Sequence, residues 1–377
     1  MSDQNLPVLP NGPDGKLLVS ILIPAYNAQE FVADAIRSAI AQTWEPKEII
    51  VVDDGSKDQT LTIAKQFEAD SVRVVTQKNN GAAAARNKAF SLSRGAYIQW
   101  LDADDLLSPD KIARQMAALD QDRSKRKLLS SAWGNFMYRP YRAEFIPTPL
   151  WADLSPAEWL CRKLGQNLYM QTATWLVSRE LTEAAGPWDT RLLGDDDGEY
   201  FCRVLLASNG VRFVPEAKVY YRAFGFDGLS DIGKSTRKIE AQWLSMQLHI
   251  RYLRSLEESE RSHAACLQYL RTFLMCFYPE RQDIVSQAEQ LAREFGEPLG
   301  VPPLSWKYAW IESAFGWGLA KSVSRSLPKF RSSMEKRKER LLFRLESRKW
   351  FSRHEPANGN LGNAVSSPRT ARGPGTL

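Results

Sequence analysis

The sequence predicts an α/β protein built on a mostly parallel sheet, extended by a mixed-sheet segment and followed by a C-terminal helical region. From Val19 to Asp102, short apolar β-rich runs alternate with stretches of helical period. Some of these runs, such as Ile49-Ile50-Val51-Val52, are apolar throughout, as strands covered by helices on both faces are. Three of the four runs end in polar or turn residues, and the carboxyl ends of such strands are where an open parallel sheet takes its ligand.

In order, VSILIP, QEFVADAIRSAIAQT, EIIVVDD, DQTLTIAKQFEAD, VRVVTQ, GAAAARNKAFSLS and AYIQWLD read as βαβαβαβ. The first, second and fourth strands run into Pro24-Ala25-Tyr26-Asn27, Asp53-Asp54-Gly55-Ser56 and Asp102-Ala103-Asp104-Asp105. The third runs into Asn79-Asn80-Gly81. Residues 128–228 carry strand-like runs at SAWGNFMYR, TATWLVS, VRFV and AKVYYR, with a helix starting near Asp195. Residues 236–296 are helical in period and polarity and show no catalytic constellation. From Asn358 onward Gly, Asn, Ser, Pro and Arg dominate, the composition of a disordered tail. The expected organisation is a flexible N-terminus (1–17), an α/β domain (18–228), a basic, amphipathic helical region (229–350) and a tail (351–377).

The 377 residues are 44% hydrophobic and 25% charged, which fits a soluble globular protein and excludes a multispanning membrane protein. Four scattered cysteines read as reduced thiols, and MSDQNLPVLPNGPDG has no basic region followed by an apolar run, so cytoplasmic residence is the expectation. The net charge of +6 is concentrated at the C-terminus, where residues 321–377 hold fourteen Lys and Arg against four Glu. The main domain is therefore slightly acidic, and no nucleic-acid partner is expected.

Asp102 and Asp104 stand two apart at the end of a strand, so their carboxylates point the same way and can share one cation. Hard oxygen ligands suit Mg²⁺ or Mn²⁺ with positions left for substrate phosphates. An acidic turn capping the helix that follows Ser108-Pro109-Asp110 is the competing reading. Asp53 or Asp54 can accept hydrogen bonds from a nucleobase N–H or a ribose hydroxyl, and Gly55 permits close backbone approach. An ordinary capped strand-to-helix turn explains the same residues.

Pro24-Ala25-Tyr26-Asn27, Val51-Val52-Asp53-Asp54-Gly55-Ser56, Ala85-Arg86-Asn87 and Leu101-Asp102-Ala103-Asp104-Asp105 together, in this order, resemble the inverting family 2 glycosyltransferases over roughly residues 18–225. The resemblance implies a GT-A fold, Rossmann-like with a mixed-sheet acceptor extension, and a metal-dependent hexosyltransferase using a nucleotide-diphosphate sugar, UDP being the commonest donor type. It implies donor contacts from Pro24, Tyr26, Asn27, Asp53, Asp54, Arg86 and Asp102, with metal at Asp104 and Asp102. A guanidinium early in a helix also suits phosphate oxygens on physical grounds. The run Gly194-Asp195-Asp196-Asp197-Gly198-Glu199 resembles the family's acidic acceptor-site motif and implies a catalytic base at Asp197 or Asp196. Here Asp196 stands where Glu is usual and Gly198 where a bulkier residue is usual. Three Asp capping a helix, and Glu199 pairing with Arg203, is the structural alternative.

His249, His263 and His354 all follow the motif-bearing region, so histidine-based chemistry is not expected, and no G-x-G-x-x-G follows the first strand. Trp133, Trp175 and Trp188 lie between the Asp102 turn and the acidic run, where aromatic faces could stack on sugar rings; Trp188, just before the run, is the candidate acceptor contact, against the commoner use of Trp in cores. Trp306, Trp310 and Trp317 share a helical face, and Leu327, Phe330, Met334, Leu341 and Leu345 continue a helical spacing among basic residues, with Pro328 expected to interrupt. That composition suits the inner face of an anionic membrane, docking on the chain's own domain, or pairing with another chain. The expected function is sugar transfer to a carbohydrate or lipid-linked hydroxyl acceptor in cell-surface polysaccharide or glycolipid synthesis. The alternatives are a nucleotidyltransferase, disfavoured by the missing Gly-rich, Lys-containing loop, and a non-catalytic nucleotide-sugar binding module.

Overall fold

The computed structural model describes residues 15–122, 126–223, 235–302 and 306–346. The expected βαβαβαβ unit is present as β1 (Val19–Ala25), α1 (Val32–Ile40), β2 (Lys47–Asp53), α2 (Thr60–Lys65), β3 (Val72–Thr76), α3 (Ala82–Leu92) and β4 (Tyr97–Trp100). These strands lie parallel in the order β3-β2-β1-β4. Residues 49–52 are buried on both faces, which is why the run carries no polar residue. The register pairs Ala25 with Asp53, Asp53 with Thr76 and Leu22 with Trp100, so the polar strand ends emerge along one edge of the sheet.

The extension adds β5 (Leu106–Leu107), α4 (Lys111–Asp122), β6 (Leu128–Phe136), α5 (Pro156–Gln166), β7 (Leu176–Ser178), α6 (Arg179–Ala185), α7 (Asp196–Ala207) and β8 (Val211–Arg222). It completes one eight-stranded mixed sheet, β3-β2-β1-β4-β7-β6-β8-β5, in which β7 is antiparallel to both β4 and β6. VRFV and AKVYYR, which read as two strands, form the single strand β8. Pro215 lacks an N–H for the ladder, and the register against β6 jumps there, from Ser131↔Val214 to Ala132↔Lys218. The short β5 and the helices α5 and α6 are not evident in the sequence pattern.

Helices α8 (Thr236–Leu256), α9 (Glu260–Phe277) and α10 (Gln282–Glu294) bear out the helical period of 236–296 and pack behind α5 and α7. Two C-terminal expectations are corrected. Trp306, Trp310 and Trp317 do not share one helix: Trp306 lies in a 3₁₀ turn, Trp310 in α11 (Ala309–Phe315) and Trp317 in α12 (Trp317–Glu346), with Gly316 at φ 80° breaking the chain between the last two. Pro328 does not interrupt α12, which runs thirty residues; one missing hydrogen bond, to the Ser324 carbonyl, is absorbed by the turns on either side. The far end of α12 folds back onto the sheet edge. There Glu339 accepts from Arg139, Arg340 pairs with Glu30, and Phe343 lies 6.0 Å from Tyr138. Pro328, Phe330 and Leu345 are part of α12, whose side chains at these positions, like that of Trp306, lie outside the described residues, as do 1–14, 351–377 and His354.

Candidate active site

The loops after β1 and β2 clasp each other. The Asn27 amide, in the left-handed region at φ 48°, donates to Ser56 Oγ (3.0 Å), while Asn27 Oδ1 accepts from the Lys57 amide (2.9 Å). Tyr26 stands 47% exposed beside this clasp, and Pro24 lies in β1 opposite Val52. The acidic pair divides its work. Both are buried, and Asp54 brackets the loop leading into α3, accepting from Gln77 Nε2 (2.8 Å), the Asn80 amide (2.9 Å) and the Gly81 amide (2.8 Å). Among the described residues Asp53 accepts only from Thr76 Oγ1 (2.9 Å) and the Ser56 amide (3.3 Å), and a carboxylate offers about four acceptor positions. Of the two, Asp53 keeps the greater capacity for a ligand donor. Gly55, at φ 69°, is required, because a Cβ there would sit 2.9 Å from the Asn79 amide nitrogen.

Arg86, in the first turns of α3, joins the two acidic motifs. One terminal nitrogen donates to Asp102 Oδ1 and the other to Asp196 Oδ2, each at 2.8 Å. Its guanidinium lies 4.4 Å from the Trp188 ring centroid, and its side chain is 7% exposed. Trp188 itself is 2% exposed, with Tyr200 stacked on it at 4.0 Å and Trp100 edge-on at 5.2 Å. Neither face of that ring is open to an acceptor. Its work is to floor Arg86, while its backbone N–H and C=O hold the Asn87 amide at 2.8 and 2.9 Å.

Beyond β4 three carboxylates crowd together. Asp105 is buried and spent on the scaffold, accepting from Gln171 Nε2 and the Arg222 amide. Burial, then the adjacent Asp104 and Asp102 charges, push it well above the carboxylate range. Asp104 is pushed up to about 6, first by burial and then by Asp102, with Arg222 opposing. Among the described residues no other residue donates to the Asp104 side chain, and Asp102 uses one oxygen on Arg86. The donor set that remains, hard anionic oxygens in excess negative charge, fits a divalent cation. No group of three His, Cys, Asp or Glu is gathered around one point among the described residues, so a cation held here would complete its shell with ligand oxygens.

The acidic run starts α7. Asp195, at φ 55°, accepts from Ser245 Oγ on α8 (2.6 Å). Asp196 is pushed up to about 6, by burial first, with Arg86 opposing and Asp197 adding. Asp197 accepts from Thr172 Oγ1 (3.2 Å) and from the Gly198 amide (2.9 Å), and burial followed by Asp195 raises it. The unusual Gly198 has a local cause: a Cβ there would lie 2.0 Å from Asp195 Oδ1. Glu199 pairs with Arg203 (2.7 Å) and accepts from Tyr252 on α8 (2.6 Å). The helical region that shows no constellation of its own thus holds the acidic run from behind. His249 on α8 approaches Asp195 Oδ2 at 3.8 Å but is completely buried, with Tyr269 on Nδ1 (2.9 Å).

Sequence reasoning missed Lys163, Thr172 and Arg222. Lys163 is buried on the apolar stripe of α5 with Trp159, Leu160 and Leu164, and its charge opposes the rise of Asp197. Arg222 ends β8, donates to the Asp104 carbonyl (2.7 Å) and lies between Phe31 and Phe136 at 4.2 and 4.5 Å.

Residues 20–148 match the model of glycosyl transferase family 2. An uncharacterised glycosyltransferase of Rickettsia typhi is 44% identical over 104 residues, 28% of this chain and 32% of that protein. The putative teichuronic acid biosynthesis glycosyltransferase TuaG of Bacillus subtilis is 40% identical over 104 residues, 27% and 41% of the two chains. Escherichia coli chondroitin synthase is 45% identical over 97 residues, 25% of this chain and 14% of that one. The matched stretch thus spans less than half the length of these curated relatives. Among solved structures, S. aureus TarS 1–349 in complex with UDP-GlcNAc aligns with a TM-score of 0.58 at 18% identity, over 74% of this chain and 80% of that one. At that identity the likeness concerns the fold, which is GT-A.

Proposed function

With residues 20–148 matching the model of glycosyl transferase family 2, we propose that the chain transfers a sugar, with inversion, from a nucleotide-diphosphate sugar, UDP-linked, to a hydroxyl of a saccharide or lipid-linked acceptor in polysaccharide synthesis. The observation that carries this reading is the Arg86 bridge. A motif suited to a nucleotide diphosphate and a motif suited to a base, 94 positions apart between Asp102 and Asp196, meet on one buried guanidinium. Tyr26, Asn27 and Asp53 line the nucleoside end, and Asp102 and Asp104 would hold Mg²⁺ or Mn²⁺, which when bound stabilises negative charge on the leaving diphosphate. Asp197 removes the proton from the acceptor hydroxyl. Asp196 is committed to Arg86, whereas Asp197 is oriented by Thr172 and faces the side of the site where Tyr169 and Tyr221 lie.

Calorimetry of UDP and UDP-GlcNAc with and without Mn²⁺, followed by donor consumption with acceptors, tests the reading. Asp104→Asn is expected to abolish the metal dependence of donor binding. Asp197→Asn is expected to leave binding within twofold and lower transfer by about 10²–10⁴-fold. No nucleotide-sugar binding under either condition refutes it.

No helix of the described residues is long and apolar enough to cross a membrane. Peripheral contact with the inner, anionic leaflet is part of the proposal. It is supported by Trp310 and Phe315, exposed on α11, and by Leu327, Met334 and Leu341, exposed among the Lys and Arg of α12. Sedimentation with phosphatidylglycerol but not phosphatidylcholine vesicles is the expected result.

A further inference from the structure

Beside the acidic run lies a pocket of about 210 Å³ walled by Trp133, Asn135, Glu144, Ile146, Asn167 and Tyr169. We propose that this pocket is a saccharide subsite that holds one pyranose ring of the acceptor, next to the ring that receives the transferred sugar.

Continuity with the base supports the assignment. Tyr169 is three residues before Thr172, whose hydroxyl orients Asp197, and the Asp197 charge reaches the Tyr169 phenol. Behind the Trp133 wall, Tyr221 packs edge-on at 5.9 Å and feels the charges of Asp105, Asp104 and Asp197, so a single aromatic ring separates that wall from the acidic groups. The walls suit the faces of a sugar. Trp133 and Tyr169 meet at 5.1 Å with their planes 40° apart, which makes an aromatic corner, and Tyr169 is 51% exposed. An exposed Tyr beside an exposed Ile146 offers C–H-binding surface that packing in the chain does not use.

Polar capacity sits within the same walls. Trp133 Nε1 and Asn135 Oδ1 are buried without a partner among the described residues, one donor and one acceptor. An unmade hydrogen bond on a buried group costs about 1–3 kcal/mol. The terminal torsion of Asn is soft, so turning the amide toward an entering hydroxyl costs little. The volume falls below the roughly 300–1,000 Å³ of pockets for drug-sized ligands, which suits one ring rather than a chain.

This assignment rests on the transferase reading, and its test is separable from it. Saturation-transfer NMR on the full chain with the methyl glycosides of glucose, galactose, glucuronic acid and N-acetylglucosamine reads the pocket. Calorimetry with UDP reads the donor site. At least one glycoside is expected to bind. Tyr169→Ala, at a half-exposed position, is expected to weaken it by roughly two- to twelvefold, the scale of one aromatic contact, with UDP affinity unchanged. Asn135→Leu is expected to weaken the same glycoside. If UDP fails to bind while the glycoside result holds, the donor reading fails and the subsite stands. The subsite is refuted if UDP binds and no glycoside does, if Tyr169→Ala binds the glycoside as well as wild type, or if hexanol occupies the pocket and the glycosides do not.

Discussion

Replacing Arg86 by Met separates the structural from the catalytic use of the bridge. The substitution keeps an unbranched side chain against Trp188 but removes two charge-assisted hydrogen bonds of 2.8 Å and leaves Asp102 and Asp196 facing each other without their shared cation. With the Arg86 side chain 7% exposed and that of Asp196 17%, solvent screens little of this loss. Removing one partner of a buried pair costs about 3–5 kcal/mol, and the lost cation–π contact adds roughly 0.5–2 kcal/mol. Protonation of Asp196, already raised to about 6 with Arg86 present, gives some of that back, so a net loss of about 3–4 kcal/mol is expected at pH 7.5, shrinking toward pH 5.5 as the freed carboxylates take up protons. Urea denaturation at the two pH values measures both. The double variant Arg86→Met/Asp196→Asn is expected to lose less than the sum of its single changes, by about 1–3 kcal/mol. A single-variant loss below about 1 kcal/mol, or an additive double variant, refutes the claim that Arg86 clips the donor half of the site to the base half.

Gly198→Ala gains helix propensity of about 1 kcal/mol, yet its Cβ would fall 2.0 Å from Asp195 Oδ1, which Ser245 holds in place; a net loss of about 1–3 kcal/mol in thermal melts is expected, and a stabilised variant would show that Asp195 moves freely. His249 is depressed to about 3 by burial, so below pH 6.5 the unfolded chain takes up a proton that the folded chain does not; its contribution is lost as pH falls from 6.5 toward 3. Between pH 7 and 4.5 wild type should lose about 2–3 kcal/mol more stability than His249→Gln, a comparison that cancels the opposite contribution of the raised Asp104 and Asp196. For transfer, burial and Asp195 raise Asp197, so the acid limb of kcat/KM should lie above the pH of about 4 set by an ordinary Asp; a limb at or below pH 4 removes Asp197 as the base.

The parallel half of the fold was legible because its physics is local. A strand buried on both faces can contain only apolar residues, so Ile49–Val52 announces itself, and the polar residues begin where the chain leaves the sheet. The mixed half was less legible. Pro215 made one strand look like two, and the run TATWLVS, read as one strand, yields only the three residues of β7 after a 3₁₀ turn. Pro328 misled in the opposite direction, since a rule about hydrogen bonding at one residue does not count the turns on either side.

In the site, residue type and position were readable but partnership was not. Asp53 and Asp54 look alike in sequence, and only the loop of Gln77, Asn80 and Gly81, brought over by β3, assigns Asp54 to the scaffold and leaves Asp53 for a ligand. Trp188 is near the acidic run in sequence and near the site in space, yet it lies beneath Arg86 rather than above it, because Trp100 and Tyr200 claim its ring from strand and helix at once. Of the three tryptophans between the motifs, Trp133 is the one that walls a pocket, with Tyr169, which no motif marks; the antiparallel insertion of β7 between β4 and β6 sets β6 parallel to β4. Contacts made by topology leave no local signature: the acidic runs at Asp102–Asp105 and Asp195–Asp197 are written in motifs, while the pocket walled by Trp133 and Tyr169 is written in topology.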